Sequence, residues 1–270
     1  MIDHVLYFPI FPNHDEIGSE RAIDVRNWVE NFLIPACLAT DEEDKANVYL
    51  VVGGDGKFMK TVREKHDSDK IFFGINRGTM GFLLNPISEI NEIPISLDQI
   101  QVITVKLIKV IFIKKDGSSS EYLAFNDAFC GGNVADHITF SISGSRTHFP
   151  KRIVSGNGII ISTPQGTTGY ALKARGTSSV LPLDTTNWFI SGIATGPYPC
   201  DQVSPQEICV EVTSRQPVNG YADGYSQEVK DIVKMIVKPI AKEIKMGFLS
   251  HIDFAARRMN LAQLVERGGH

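Results

Sequence analysis

The pattern of apolar and polar positions changes character twice along the chain. In the first hundred residues short apolar runs alternate with helical periodicity. Val5-Leu6-Tyr7-Phe8 is a strand-like run, and Gly18-Ser19 offers a cap for a helix with Ala22, Val25, Trp28, Val29, Phe32 and Leu33 along one face. Val48 to Val52 is a second buried run, followed by glycines and a helical stretch. Ile71-Phe72-Phe73-Gly74-Ile75 is a third. Strands that alternate with helices predict a parallel sheet covered by helices, with ligands at the carboxyl ends of the strands.

Near residue 100 the period shortens to two. Val105 and Leu107 alternate, then Ile108, Val110 and Phe112, then Ile138, Phe140 and Ile142, then Ile208, Val210 and Val212. Turn sequences such as Lys115-Asp116-Gly117-Ser118 and Gly131-Gly132-Asn133 separate them. Consecutive period-two strands without intervening helices predict an antiparallel sandwich. One short helix is expected within it, from Gly169 to Ala174. The last change is back to helical spacing, with Phe254, Arg257, Arg258, Leu261, Leu264 and Val265 on one face. The expected fold is thus an α/β N-terminal domain with a parallel sheet (1–100), a β-rich sandwich domain (101–252), and a C-terminal helix (253–270) that returns to the first domain.

Composition narrows the function. The chain has 270 residues, 43% of them hydrophobic, enough for a large core. With 27 basic and 31 acidic side chains the net charge is −4, and no Lys/Arg run is present, which gives no pull toward nucleic acid. No apolar stretch has the length of a membrane span, and the N-terminal residues lack a signal-peptide pattern. Cys37, Cys130, Cys200 and Cys209 have no paired spacing, and histidines such as His137 and His148 form no cluster, so no thiol- or imidazole-ligated metal site is expected. A cytoplasmic protein is expected.

Three segments and one adjacent polar pair carry candidate chemistry. In Val51-Val52-Gly53-Gly54-Asp55-Gly56 a strand enters a loop without side-chain bulk except for one carboxylate. Glycines let a ligand approach backbone N–H groups closely, and successive N–H groups before a helix suit phosphate oxygens. Asp55 is out of place beside phosphates unless it holds a metal or takes a proton from an attacking hydroxyl. A plain turn would also accommodate it. Lys57, one residue past the loop, is placed to neutralise a donor phosphate or simply to be a solvated lysine. Gly74 to Leu83 is a second glycine-rich turn, where Phe82 either stacks on a flat ring or fills the core. Asn126-Asp127, adjacent polar residues within an apolar strand, suit the paired hydroxyls of a ribose, or solvent at a sheet edge. Ile159 to Tyr170 is the third segment, a buried strand that runs through Ser162-Thr163-Pro164-Gln165-Gly166-Thr167-Thr168-Gly169 into a helix start.

Taken in this order, the segments resemble the NAD kinase family, within the superfamily of diacylglycerol and sphingosine kinases. The chain matches the family's GGDG loop at 53–56, its GINxGxxGFL segment at 74–83, its Asn-acid pair at 126–127 and its STPTGSTAY segment at 162–170, with Asn157-Gly158 and Asp223-Gly224 at the positions of two family Asp-Gly pairs. The resemblance covers roughly residues 48 to 255. It departs at Lys57 (usually Thr), Asn157 (usually Asp), Gly169 (usually Ala), Arg175 (usually Gly) and Asp127 (more often Glu).

The resemblance implies transfer of the terminal phosphate of ATP, or of polyphosphate, to the 2′-hydroxyl of the adenosine ribose of NAD. Asp55 is then the base, and Mg²⁺ accompanies ATP. Gly53, Gly54 and Gly56 offer N–H groups to phosphate, and Asn126 and Asp127 hold the ribose. Phe82, Thr168 and Tyr170 surround adenine, with Gln165 and Gly169 in the same loop, and Asn157 lies toward the nicotinamide end. It further implies a homodimer or homotetramer, in which Asp223 reaches a neighbouring copy's nucleotide. The alternatives are a lipid or other small-molecule kinase of the superfamily, and a non-catalytic NAD(P)-binding homologue.

Overall fold

A computed structural model of the chain describes residues 5–11, 26–27, 29–34, 38–77, 80–87, 92–132, 137–146, 149–195, 201–224 and 227–268. Most of the helix expected after Gly18-Ser19, including Ala22, Val25 and Trp28, lies outside these residues, as do Gly78, Thr79, Asn133, His148, Cys37 and Cys200. Val29–Leu33 forms one π-type helical turn. The chain divides into two compact units, one of Met1–Thr104 with Ile244–His270, the other of Val105–Glu243.

In the first unit β1 (Tyr7–Ile10) pairs in parallel with β2 (Val48–Gly53), and β2 pairs in parallel with β3 (Ile71–Asn76). Every residue of β2 is buried, as expected of a parallel strand covered on both faces. Between β2 and β3 runs α1 (Asp55–Lys65), which buries Phe58, Thr61 and Val62 at helical spacing. Its acid lies in the first turn and Arg63 and Lys65 in the last, the arrangement the helix dipole favours. The unit's core gathers Tyr7, Val48, Leu50, Val52, Phe73 and Ile75 with Ile87, Ile93 and Leu249. Full burial of each such side chain contributes about 1.5–3 kcal/mol.

The second unit begins within β4 (Ile100–Lys114), which turns through Gly117 (φ 86°) into β5 (Ser119–Ala124). Then follow β6 (Asp127–Gly131), β7 (Ile138–Gly144), β8 (Arg152–Gly156) and β9 (Gly158–Ser162). After β9 come a 3-10 turn (Gln165–Thr168), the short α2 (Tyr170–Arg175) and β10 (Trp188–Ile193). The unit continues with β11 (Asp201–Val203), β12 (Ile208–Val212), β13 (Asn219–Ala222), β14 (Glu228–Val229) and the long β15 (Ile232–Leu249). One sheet has the order β11-β10-β9-β6-β13-β14, all antiparallel. The other joins β15, β12, β7 and β8, with β4 and β5 beside β15. Ile108, Val110 and Phe112 meet Ile159, Ile161 and Ile190 in one core, so the unit is a sandwich.

The expected α/β fold with a β-rich second part is therefore present. β15 is an addition, an 18-residue strand whose last residues, Lys245 to Gly247, pair in parallel with β3 of the first unit. Asn85 fixes that pairing, since its buried side chain donates to the Gly74 and Gly247 carbonyls and accepts from the Leu249 N–H.

The C-terminal helix α3 (Phe254–Glu266) belongs to the first unit. Its buried stripe differs from the expected one. Phe254, Arg258 and Ala262 are buried, four residues apart, while Leu264 is exposed. Asp253 caps the helix by accepting the Ala256 N–H, and Phe254 stacks on Phe248. Among the described residues no helix is long and apolar enough to cross a membrane.

Candidate functional site

The glycine loop closes β2 and opens α1. Gly53 has φ 154° and its carbonyl accepts the Arg77 N–H at 2.8 Å. A side chain there would also meet the stem of half-buried Lys57 at 3.0 Å. Gly54 and Gly56 are different. Neither has positive φ, and a Cβ at either would meet nothing within 4 Å. Neither backbone geometry nor packing within the chain calls for glycine at these two positions, whose missing side chains keep that side of the loop clear.

The glycines of the second segment serve the protein itself. A Cβ at Gly74 would lie 2.1 Å from Leu84 Cδ2, and one at Gly81 (φ 65°) 2.4 Å from Asn76 Cγ. The tight turn expected against a ligand is, at these two positions, a turn against neighbouring side chains. It presents two N–H groups to Asp55, Phe82 N–H to Oδ2 and Leu83 N–H to Oδ1, both at 2.9 Å. The Phe82 ring itself is buried.

Two arginines that sequence reading had treated only as part of a helix face join this carboxylate. Arg257 donates through one guanidinium nitrogen to the carbonyls of Gly81 (3.0 Å) and Leu84 (3.3 Å), and Arg258 is buried. Burial raises the Asp55 carboxyl above its ordinary range, and the N–H groups of Leu83 and Phe82 with the charges of Arg258 and Arg257 oppose the rise. Burial in turn lowers Arg258 to about 10, against the pull of Asp55. Arginines at the start of a helix oppose its dipole, and that was the available signal.

The second unit holds its own cluster. Asn126 and Asp127, at the start of β6, are both buried. Asp223 grips the same stretch from behind, accepting N–H groups from Phe125 (2.7 Å), Asn126 (2.6 Å) and Asp127 (3.2 Å). It sits at φ 52° and donates its own N–H to the Asp127 carbonyl. The residue expected to reach a neighbouring copy thus has its carboxylate on the backbone of its own chain.

The loop after β9 is pressed onto this pair. Thr163 Oγ1 reaches the Phe125 and Asn126 carbonyls, both at 2.8 Å. Gln165 Nε2 donates to the Phe125 carbonyl at 2.6 Å and the Lys106 carbonyl at 3.0 Å, so its amide braces the backbone. A Cβ at Gly166 would lie 2.0 Å from the Asn126 carbonyl oxygen, and one at Gly169 3.4 Å from Asp127 Oδ2 and 3.5 Å from Asn126 Nδ2. Thr168 is buried and bonds the Gln165 carbonyl.

The Tyr170 N–H serves the Asp127 carboxyl, which burial and then the Asp223 charge push up to about 8. The exposed Tyr170 ring stands edge-on to Phe129 at 5.4 Å, and Phe129 stacks on Tyr221 at 5.7 Å. Phe129 and Tyr221 were not singled out in the sequence. Phe129 lies two residues from Asp127 on the same face of β6, and Tyr221 is its cross-strand partner, a register visible only once the pairing is known. Asn157 forms the β8–β9 turn, with its N–H on the Ile193 carbonyl and its own carbonyl accepting from Gly132.

Comparison with known proteins agrees with the motif reading. No family model matches the chain. An NAD kinase of Brucella suis biovar 1 (strain 1330) is 26% identical over 190 residues, 67% of this chain and 71% of that protein. Among solved structures, yeast NADH kinase complexed with NADH superposes with a TM-score of 0.70 at 15% identity, over 96% of this chain and 87% of that one. An NAD kinase from Archaeoglobus fulgidus in complex with ATP gives 0.69 at 17% identity, over 96% and 98%. The structures agree in fold, the curated relative in sequence as well. The protein is an enzyme of the kinase class. More narrowly, it is similar to NAD kinases in sequence over two thirds of its length, and to NAD and NADH kinases in fold.

Proposed function

We propose that the protein transfers the terminal phosphate of ATP to the 2′-hydroxyl of the adenosine ribose of NAD, with polyphosphate as a second possible donor. The observation that carries this reading is Asp55. Its two oxygens each take one backbone N–H at the mouth of a loop whose Gly54 and Gly56 face open space. Each carboxylate oxygen accepts more than one bond, so a lone pair is left for a substrate hydroxyl. A carboxyl raised by burial is a better base than an exposed one, and proton transfer comes late in a loose phosphoryl transfer. Asp55 orients the hydroxyl and accepts its proton. The N–H groups of Gly54 and Gly56 donate to phosphate oxygens, with Lys57 in the first turn of the helix as a cation for the donor.

In this reading the second unit binds the acceptor. Asn126 and Asp127 hold ribose hydroxyls, with Asp127 protonated near neutral pH and able to donate. Tyr170 supplies an exposed ring for adenine, with Thr168 and Gly169 beside it, and Asn157 lies toward nicotinamide. Among the described residues no group of three or more His, Cys, Asp or Glu side chains is placed to hold a metal. Mg²⁺ would accompany ATP and neutralise charge on the donor's phosphates, and no step here is routed through it. A dimer or tetramer in the cytoplasm belongs to the same proposal.

The test is incubation with ATP, Mg²⁺ and either NAD or NADH, read by an NADP-specific dehydrogenase. Formation of the 2′-phosphorylated product is expected. Its absence with both acceptors, while NAD still binds by calorimetry, would turn the reading into that of a binding protein.

A further inference from the structure

We propose that Arg257 is a positioning residue for Asp55, acting through the Gly81–Phe82 peptide group. The carbonyl oxygen that Arg257 holds at 3.0 Å and the N–H that Phe82 gives to Asp55 Oδ2 at 2.9 Å belong to one and the same peptide unit. A guanidinium on the oxygen of a planar amide draws electron density toward itself and leaves the N–H a stronger donor. The second bond of the same nitrogen, to the Leu84 carbonyl, closes the segment from its other end. Phe82 and Leu83, the two donors to Asp55, are therefore bracketed by two carbonyls tied to one cation.

The surroundings support the assignment. Gly81, at the head of this bracket, adopts φ 65°, a left-handed conformation that glycine takes without strain. Arg257 stands in the second turn of α3, where a cation opposes the helix dipole, so its place there calls for a compensating use. The Asp253 cap and the Phe248–Phe254 stack fix the helix that carries it. The charged groups acting on Asp55 from α3 are Arg257 and Arg258. Lys57, on the helix of Asp55 itself, and Arg77, bonded through its N–H to the Gly53 carbonyl, are the further charged residues of the loop. Arg258 acts on Asp55 by charge, and Arg257 by charge and by the bracketed peptide.

The inference rests on Asp55 as the base, and the test separates the two. In Arg257→Gln, turnover at about pH 6 should fall roughly five- to tenfold and recover partly as pH rises, since an acid deprived of stabilising charge ionises later. Arg257→Lys, which keeps the charge, should restore most of the activity. The Asp55 carboxyl is also followed directly by ¹³C NMR, its signal assigned by its loss in Asp55→Asn, and should titrate at higher pH in Arg257→Gln than in the parent. A loss of turnover independent of pH, or an unchanged Asp55 titration, would overturn the proposal. Should Asp55→Asn retain full activity, the base assignment fails, while the titration still decides whether Arg257 tunes the carboxyl.

Discussion

Asp55 and Asp127 are both buried carboxyl groups, and their surroundings oppose each other. Asp55 receives two backbone N–H groups and the charges of Arg257 and Arg258, all of which favour the carboxylate. Asp127 receives one N–H, from Tyr170, and lies beside another acid, Asp223, which adds to the effect of burial. Burial raises both carboxyls; at Asp55 the N–H groups and the arginines oppose the rise, whereas at Asp127 the neighbouring acid adds to it. Acid and base roles separate where two titratable groups are given different neighbours. The glycines around the two acids differ in the same sense. Gly54 and Gly56 face open space, whereas Gly166 lies against the Asn126 backbone.

The largest effect should come from the base itself. Asp55→Asn is expected to lower turnover at least ~10²-fold, the lower end for general acid–base catalysis, while NAD still binds. Steady-state rates with calorimetry on the same protein check this, and near-normal turnover would remove Asp55 from the mechanism. Gly56→Ala sharpens the contrast between the glycines. Alanine in a helix is up to about 1 kcal/mol better than glycine. The melting temperature should hold or rise, while the Michaelis constant for ATP rises about tenfold, worth roughly 1.4 kcal/mol of lost donor binding. A variant equally stable and equally active would show that no ligand approaches that face.

Gly166→Ala should do the reverse. Its Cβ would sit 2.0 Å from a backbone oxygen, with no flexible side chain to give way. A cost of about 1–3 kcal/mol and a fall of roughly 3–10 °C in melting temperature are expected. The Michaelis constant for NAD should rise more than that for ATP.

The smallest effect is a slope. Folded Asp127 holds its proton up to about 8, whereas the unfolded chain releases it near the ordinary carboxylate value. Between those limits the folded state binds more protons, so stability falls as pH rises. The contribution is whole below the unfolded value and gone above about 8. Urea unfolding at pH near 5 and near 8 should differ less for Asp127→Asn than for the parent. An unchanged slope would mean that Asp127 is ionised in the folded protein.

Much of this was legible in the residues. The parallel strands announced themselves as continuous apolar runs, and the sandwich as period-two alternation. The glycine loop stood out because bulk is absent there. What stayed hidden depends on partners far apart in sequence. Phe129 and Tyr221 become neighbours only through strand register. Asp223 reads as half of an Asp-Gly turn, and nothing near it says that it holds the backbone of residues 125 to 127. Gln165 was expected at the ligand, and nothing in the sequence tells that its amide nitrogen also donates to two carbonyls. Arg257 and Arg258 were legible as a broken local rule, without any sign of what they serve. β15 escaped because lysines interrupt its apolar positions along most of its length.

The first unit is assembled from two pieces of chain, separated by the whole of the second. During synthesis the glycine loop and Asp55 emerge early. The strand end that pairs with β3, and the helix that carries Arg257 and Arg258, follow only after Glu243. Domains fold as units while the chain grows, so the sandwich can form ahead of the unit that began first. A nascent chain thus contains the glycine loop before it contains the cations that act on its carboxylate. The cations that act on the Asp55 carboxyl lie more than two hundred positions downstream of it, so the order of synthesis separates the loop from them.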